Sequence, residues 1–223
     1  MRNEFVFMAG GRANRMGRGV KSVDRTKGLM MLPIFGSKET ETIIDRTLRL
    51  LHKLESFNES EILFCVGYKK ELVKQVYPKS QYLDTYDPDD PDDLIPALLR
   101  LVDGCPENEN LTVLLADVIW SERALKHFLS TRHDAPLVLY HGTSPKYHDI
   151  FGIGINGSAG KELIRRVNRE EYLPVIEGEI RWKGHDKVPI RYCRASTMEQ
   201  WIDLNDVPGK LRIYQVGKVA DVD

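Results

Sequence analysis

The chain has few of the features that mark disulfide-rich, zinc-binding or membrane proteins. Its three cysteines, Cys65, Cys105 and Cys193, are far apart and have no histidines nearby. An odd and scattered set of this kind argues against a disulfide framework and against a zinc site. The apolar run that starts the chain, Phe5-Val6-Phe7, is much too short to span a membrane. We therefore expect a protein of the reducing cytoplasm that has no membrane partner.

An excess of charge of one sign is also missing. Lys and Arg total 32 against 33 Asp and Glu, which gives a formal net charge of -1. This balance offers no electrostatic reason to expect a nucleic acid or a membrane surface as partner. Residues 1–4 lead directly into an apolar run, without the apolar core and small-residue cleavage site of a signal peptide, so we expect no export signal. The sequence also contains no Ser-His-Asp or Cys-His arrangement typical of covalent catalysis.

The order of apolar and polar segments predicts a single α/β domain over residues 1–223, a length that allows a sizeable core. Short apolar runs alternate with amphipathic segments, which is typical of a Rossmann-like, mostly parallel sheet with helical crossovers. The predicted strands lie at 5–7, 61–67, within 111–120, and at 136–141, 150–155, 187–194 and 211–216. The predicted helices cover 37–54, capped by Ser37, and 69–76, 94–102 and 121–132. We expect the residues after 216 to be loose.

A glycine-rich loop follows the first predicted strand. Residues 8–17 read Met-Ala-Gly-Gly-Arg-Ala-Asn-Arg-Met-Gly, and Thr26-Lys27-Gly28-Leu29 follows ten residues later. Two adjacent glycines let backbone N–H groups approach a ligand closely, because no Cβ is in the way. Arg15 and Lys27 add a planar guanidinium and a compact ammonium to the same neighbourhood. The stretch therefore predicts a polyphosphate site.

This arrangement resembles the signature loop of the nucleotidyltransferases with a GT-A-like fold. It is most similar to the molybdenum cofactor guanylyltransferase branch, in which A-G-G-x-A-x-R-M-G is followed by K-G-L. The resemblance implies a three-layer α/β/α domain with a mixed, mostly parallel sheet, and a nucleoside triphosphate as donor. It also implies that Arg15 and Lys27 are catalytic. The spacer of residues 18–25 is longer than usual, so Lys21 is an alternative to Lys27. The implied nucleotide-binding residues are Met8, Ala9, Gly10, Gly11, Arg12 and Lys21.

Two aspartates are candidates for metal binding. The apolar run of residues 111–120 predicts a central strand that ends in Asp117, and ligands of open α/β sheets bind beyond the carboxyl ends of strands. A lone aspartate there could also be a turn or cap residue, although Ser121 competes for the cap. The resemblance implies that Asp117 holds Mg²⁺. Residues 201–208 are similar to the W-x-D-I-D/N-T-P-E-D-L ending of sugar and choline-phosphate nucleotidyltransferases, which makes Asp203 the second ligand, with Asn205 or Asp206 as alternatives.

Two further stretches bear on substrate recognition. Residues 152–157 spell G-x-G-x-x-G, but the first glycine lies inside the predicted strand 150–155, so we do not interpret them as a dinucleotide fingerprint. A strand with glycine here resembles the acceptor-binding wall of sugar nucleotidyltransferases, which makes Gly152 a candidate for substrate contact. The acidic residues 84–93 predict an exposed loop. They carry none of the small residues with which related enzymes read the base, so the base stays open.

Together these features predict an enzyme that transfers a nucleoside monophosphate from a nucleoside triphosphate to a phosphorylated acceptor and releases pyrophosphate. The acceptor could be a sugar 1-phosphate, choline phosphate or a molybdopterin-like compound, and Mg²⁺ is the expected cofactor. A GT-A glycosyltransferase is the nearest alternative, but it would normally carry D-x-D where this chain has Ala116-Asp117-Val118. The second alternative is a non-catalytic nucleotide-binding module.

Overall fold

The protein is described here from a computed structural model, which describes residues 3–10, 27–29, 31–34, 38–55, 57–85, 94–143, 148–167, 211–216 and 220–221. The helices are α1 (Ile43–Leu54), α2 (Lys70–Val76), α3 (Leu94–Gly104), α4 (Glu122–Thr131) and α5 (Gly157–Val167), with short 3-10 helices at Lys27–Leu29 and Glu59–Glu61. The strands are β1 (Asn3–Met8), β2 (Met31–Pro33), β3 (Thr40–Thr42), β4 (Ile62–Val66), β5 (Gln81–Asp84), β6 (Asn110–Leu115), β7 (Val118–Ile119), β8 (Leu137–Thr143), β9 (His148–Ile155), β10 (Leu211–Val216) and β11 (Ala220–Asp221).

The main sheet has seven strands in the order β10-β8-β9-β6-β1-β4-β5. Strand β1 lies between two parallel neighbours, with Phe7 opposite Phe64 of β4 and Leu114 of β6. Strand β9 is antiparallel to both of its neighbours, β6 and β8, whereas β10 pairs with β8 in parallel. The mixed, mostly parallel sheet predicted from the sequence is confirmed.

Helices cover both faces of this sheet. On one face, Phe5 and Phe7 of β1 belong to a core cluster that includes residues of α1, α2 and α4. On the other face, Val6 joins a cluster with residues of α3 and α5. Successive residues of a strand point to opposite faces, so the alternation Phe5-Val6-Phe7 supplies both cores from one strand. The three-layer α/β/α architecture is confirmed, whereas its extent as one domain over residues 1–223 stays a prediction.

The predicted start of the first helix is wrong. Residues 40–42 form β3, which pairs with β2 in an antiparallel hairpin, and α1 begins only at Ile43. Thr42, rather than Ser37, caps the helix: its Oγ1 accepts a hydrogen bond from the backbone N–H of Asp45 at 2.9 Å, and Asp45 Oδ2 accepts one from Thr42 N–H at 3.3 Å. This reciprocal capping box satisfies two backbone donors and fixes the helix start at Ile43. Glu41 therefore precedes the helix.

Most of the other predicted strands and helices are confirmed, some of them with different ends. The strands near 61–67, 136–141, 150–155 and 211–216 and the helices near 69–76, 94–102 and 121–132 are present. The central strand β6 stops at Leu115, and the end of the chain is not loose where β11 pairs with β7. Helix α5 was not predicted, and the predicted strand at 187–194 lies outside the described residues. Of the helices in the described segments, none combines the length and apolar character that crossing a membrane would need.

Candidate functional site

The first predicted loop leaves the sheet between β4 and β6. Backbone hydrogen bonds continue past the end of β1: Ala9 N–H donates to the carbonyl of Cys65 at 2.8 Å, and Ala116 N–H donates to the carbonyl of Met8 at 3.2 Å. Ala9 is buried, and Met8 is partly exposed. Met8 and Ala9 are therefore held at the carboxyl edge of the parallel strands, where ligands of open α/β sheets bind.

Gly10 contacts the backbone that follows β4. The N–H of Tyr68 donates to the carbonyl of Gly10 at 3.2 Å. A Cβ on Gly67 would lie 2.9 Å from the oxygen of Gly10, so no larger residue fits at 67 without a shift. Thr85, at the end of β5, is tied to the same edge, because its N–H donates to the carbonyl of Val66 at 2.9 Å.

The Lys27–Leu29 turn packs against the end of β6. A Cβ on Gly28 would lie 2.8 Å from Cδ1 of Ile44 and 3.0 Å from both Cβ and O of Ala116. Gly28 thus lets this turn lie directly on the residue that precedes Asp117. The backbone of Lys27 and the backbone of Asp117 are each one residue away from this contact. Three segments that are far apart in the sequence, 8–10, 27–29 and 116–117, therefore meet at one edge of the sheet.

Asp117 lies in the turn between β6 and β7 and is partly exposed. The same turn leads into the pairing of β7 with β11, in which Asp221 is opposite Val118 and Ala220 is opposite Ile119. This acidic residue, which the sequence patterns did not indicate, therefore lies opposite the residue that follows Asp117.

These aspartates have the chemistry that Mg²⁺ requires. Mg²⁺ prefers oxygen ligands and is usually held by one or two carboxylates together with substrate phosphates and water. Within the described segments, no group of three or more His, Cys, Asp and Glu side chains could hold a metal by itself.

The remaining predicted site residues lie mostly outside the part of the chain that the structure describes. Gly11, Arg12, Arg15, Lys21 and Asp203 lie outside the described residues. For Lys27 the structure describes the backbone but not the side chain. The roles of these residues as nucleotide-binding, catalytic or metal-binding groups stay predictions.

Gly152 lies in β9, opposite Leu114 of β6 and Tyr140 of β8. A Cβ at this position would lie 2.9 Å from two ring carbons of Phe128. Close packing of α4 on the sheet is therefore a sufficient reason for glycine here, while contact with substrate stays a prediction. Gly154 and Gly157 lie in β9 and at the start of α5, so the G-x-G-x-x-G pattern does not form a strand-to-helix loop.

The acidic segment begins with an ion pair. Lys70 Nζ, at the start of α2, lies 2.5 Å from Oδ2 of Asp84 at the end of β5. This pair holds the pKa of Lys70 above its usual value. Both side chains are exposed, so the pair contributes little to stability, but it compensates the carboxylate at the end of β5.

No protein-family model matches the chain, and no curated protein matches it in sequence. Solved structures do match. A putative glucose-1-phosphate thymidylyltransferase from Bacillus anthracis is 13% identical, with a TM-score of 0.57, over 98% of this chain and 89% of that chain. A 4-diphosphocytidyl-2C-methyl-D-erythritol synthase from Anaerococcus prevotii DSM 20548 is 12% identical, with a TM-score of 0.56, over 99% of this chain and 89% of that chain.

A third match is the manganese complex of Rv0371C from Mycobacterium tuberculosis H37Rv, 12% identical with a TM-score of 0.55, over 100% of this chain and 93% of that chain. At this level of identity the matches define the fold. The protein therefore shares the fold of these solved structures, a three-layer α/β/α arrangement as the loop resemblance implied.

Proposed function

We propose that the protein is a nucleotidyltransferase, which transfers a nucleoside monophosphate from a nucleoside triphosphate to a phosphorylated small molecule and releases pyrophosphate. The observation that carries the proposal is the contact of Gly28 with Ala116. This contact joins the predicted lysine turn to the predicted metal-binding aspartate, and the hydrogen bond from Ala116 N–H to the Met8 carbonyl joins both to the start of the glycine loop. The solved structure of this fold that is named as a thymidylyltransferase supports the same reaction class.

Each predicted residue has a role in this reaction. The transfer is an in-line attack on the α-phosphate, and catalysis depends on positioning and on preorganised positive charge. The backbone of residues 8–12 would cradle the phosphates, while Arg15 would brace the triphosphate. Lys27, or Lys21 in its place, would neutralise charge where donor and acceptor phosphates meet.

Asp117, together with Asp203 or Asp221, would hold Mg²⁺. A bound divalent cation would stabilise negative charge on the phosphate oxygens. The manganese complex of a protein with this fold supports a divalent cation in general, and Mg²⁺ is our specific proposal.

The acceptor that we favour is a sugar 1-phosphate or choline phosphate, with a molybdopterin-like compound as the alternative. A phosphate monoester has a second pKa of about 6, so it is already largely dianionic at neutral pH and attacks without a general base. The thymidylyltransferase and the erythritol-derivative synthase of similar fold support an acceptor of the phosphorylated sugar or polyol type. Gly152 is the candidate for contact with this acceptor.

The first test is a thermal-shift screen against ATP, GTP, CTP, UTP and dTTP, each with and without Mg²⁺. A ligand at 100 times its dissociation constant stabilises the folded state by about 2.7 kcal/mol, which is visible as a higher melting temperature. A shift by one nucleotide that Mg²⁺ enlarges supports the proposal and names the donor. A shift by nucleotide sugars alone would favour a glycosyltransferase, and nucleotide binding without pyrophosphate release would favour a non-catalytic module.

The second test concerns the metal ligands. Asp117→Asn should abolish Mg²⁺-dependent pyrophosphate release and leave the melting temperature without ligand unchanged. Asp134→Asn is the matched control, because Asp134 is exposed and precedes β8 at the opposite edge of the sheet. Full activity of Asp117→Asn would refute the assignment.

The partner of Asp117 is assigned by two further variants, Asp203→Asn and Asp221→Asn. Only the variant that removes a metal ligand should reduce the part of the nucleotide-induced thermal shift that depends on Mg²⁺. Because Asp203 is the second ligand that the resemblance implies, we expect the larger effect from Asp203→Asn.

A further inference from the structure

A short turn after β4 touches the residue at which the glycine loop begins. The turn consists of Gly67, Tyr68 and Lys69, and we call it the 67–69 turn. Tyr68 N–H donates to the carbonyl of Gly10 at 3.2 Å, and the backbone of Gly67 lies against the backbone of Gly10. The carbonyl of Gly10, where the predicted nucleotide loop begins, is therefore held by the connection that follows β4.

The fit between Gly10 and Gly67 is tight in both directions. A Cβ on Gly67 would lie 2.9 Å from the oxygen and 3.1 Å from Cα of Gly10. A Cβ on Gly10 would lie 3.3 Å from the nitrogen of Gly67. The atoms that would be met are backbone atoms, which cannot move aside as the end of a flexible side chain can. A methyl group at 67 must therefore displace the backbone of residue 10 or that of the turn itself.

The 67–69 turn is held by the structure around it. Lys69 has φ of 54° and ψ of 37°, a left-handed conformation that non-glycine residues seldom adopt and that persists only where the surrounding structure enforces it. Lys69 caps α2, and α2 is anchored in the core by the fully buried Val73. A methyl group at 67 is therefore expected to move Gly10.

We propose that the 67–69 turn is a positioning element that fixes the backbone of Gly10, and that Gly67 is required for tight binding of the nucleoside triphosphate. The inference rests on the proposed function, because it assumes that residues 8–12 cradle the phosphates. Gly67 itself is a positioning residue that acts through Gly10.

The test compares Gly67→Ala with Gly104→Ala. Gly104 ends α3, and a Cβ there would lie 3.5 Å from Cδ1 of Leu83, an ordinary van der Waals distance. The dissociation constant and the KM for the nucleotide selected by the thermal-shift screen should rise at least about 10-fold in Gly67→Ala, which corresponds to about 1.4 kcal/mol. Both should remain unchanged in Gly104→Ala. The KM for the acceptor should be unchanged in both variants.

A higher KM for the nucleotide together with an unchanged KM for the acceptor would identify a positioning role. Reversible partial unfolding would instead weaken the apparent binding of both substrates by the same factor, because each of them binds only the folded state. If the wild type binds a nucleotide with Mg²⁺ but Gly67→Ala binds it with the same dissociation constant, the positioning role is refuted and the proposed function stands. If the wild type binds none of the five nucleotides, both are refuted.

A measurement on the wild type covers the case in which Gly67→Ala does not fold. The amide hydrogen of Tyr68 is bonded to the carbonyl of Gly10, so nucleotide binding at Gly10 should slow its exchange with solvent. The amide of Tyr77, bonded to Val73 in the C-terminal turn of α2, provides the comparison and should not change. Equal exchange of the Tyr68 amide with and without bound nucleotide would overturn the inference.

Discussion

Replacing Gly28 with alanine tests whether the lysine turn must lie on β6. The added Cβ would lie 2.8 Å from Cδ1 of Ile44 and 3.0 Å from both Cβ and O of Ala116. The Ile44 methyl group can move with its side chain, but the oxygen of Ala116 belongs to the sheet edge. The turn therefore has to move away from Ala116, and with it the backbone of Lys27.

Two opposing effects determine the change in stability. Overpacking of a tight contact typically costs about 1–3 kcal/mol. Gly28 has no positive φ, so alanine also lowers the entropy of the unfolded chain, which returns about 0.4–1 kcal/mol. We expect a net loss of about 1–2 kcal/mol. For a chain of this size that loss lowers the melting temperature by about 2–8 °C.

The assay is a double-mutant cycle with Ile44→Val, measured by urea denaturation. Ile44→Val removes the Cδ1 methyl group in the closest contact and costs about 0.5–1.5 kcal/mol by itself. The loss of stability in the double variant should be smaller than the sum of the two single losses by at least about 0.5 kcal/mol. The reason is that the Cδ1 methyl group no longer obstructs the new Cβ. Pyrophosphate release should remain reduced in the double variant, since the contact with Ala116 persists. Strict additivity, or a Gly28→Ala variant as active as the wild type, would refute the reasoning.

Two further predictions concern ion pairs that hold α1 in place. Glu41 accepts hydrogen bonds from Arg49 at 2.8 and 3.0 Å, and these hold the pKa of its carboxyl below the ordinary value of 4.5. The stability that the ionised Glu41 contributes is present above pH 4.5 and is lost as pH falls through its lower folded-state pKa. In Glu41→Gln the melting temperature should therefore fall less steeply on acidification than in the wild type. An unchanged slope would contradict this. Arg132 is 5% exposed and pairs with Glu55 at 2.7 Å. Glu55→Ala should cost about 2–3 kcal/mol in urea denaturation, somewhat below the value for a fully buried pair because Glu55 is partly exposed; a loss under about 1 kcal/mol would contradict it.

The elements that could be predicted from the sequence are those whose burial leaves a local pattern. All five residues of β4, Ile62 to Val66, are buried, so the strand is a continuous apolar run. Helix α4 alternates buried and exposed residues and begins after Ser121, whose Oγ accepts the N–H of Ala124 at 3.1 Å. In both cases the contacts that stabilise the element are repeated along the chain itself.

The elements that were missed depend on distant partners. The residues of β3 resemble the polar first turn of a helix, but Glu41 pairs with Arg49 and Thr42 bonds to Tyr77, so the segment is extended. The pairing of β11 with β7 joins the end of the described chain to the turn after β6. Neither contact has a local sequence signal, because each depends on the packing of the sheet and of α1 and α2.

The residues of the candidate site also include some that a local sequence pattern indicates and some that it does not. The adjacent glycines 10 and 11, within a motif that also contains arginines, indicated a ligand directly, but Gly67 belongs to an unremarkable Gly-Tyr-Lys turn. A sequence pattern does not show whether a ligand or a neighbouring backbone requires a glycine. The position of the missing Cβ does show it: at Gly154 it would overlap the carbonyl oxygen of Arg132, at the edge of the sheet opposite the site. At Gly67 it would meet the carbonyl that opens the predicted nucleotide loop, so alanine should weaken nucleotide binding there, whereas at Gly154 it should only destabilise the fold.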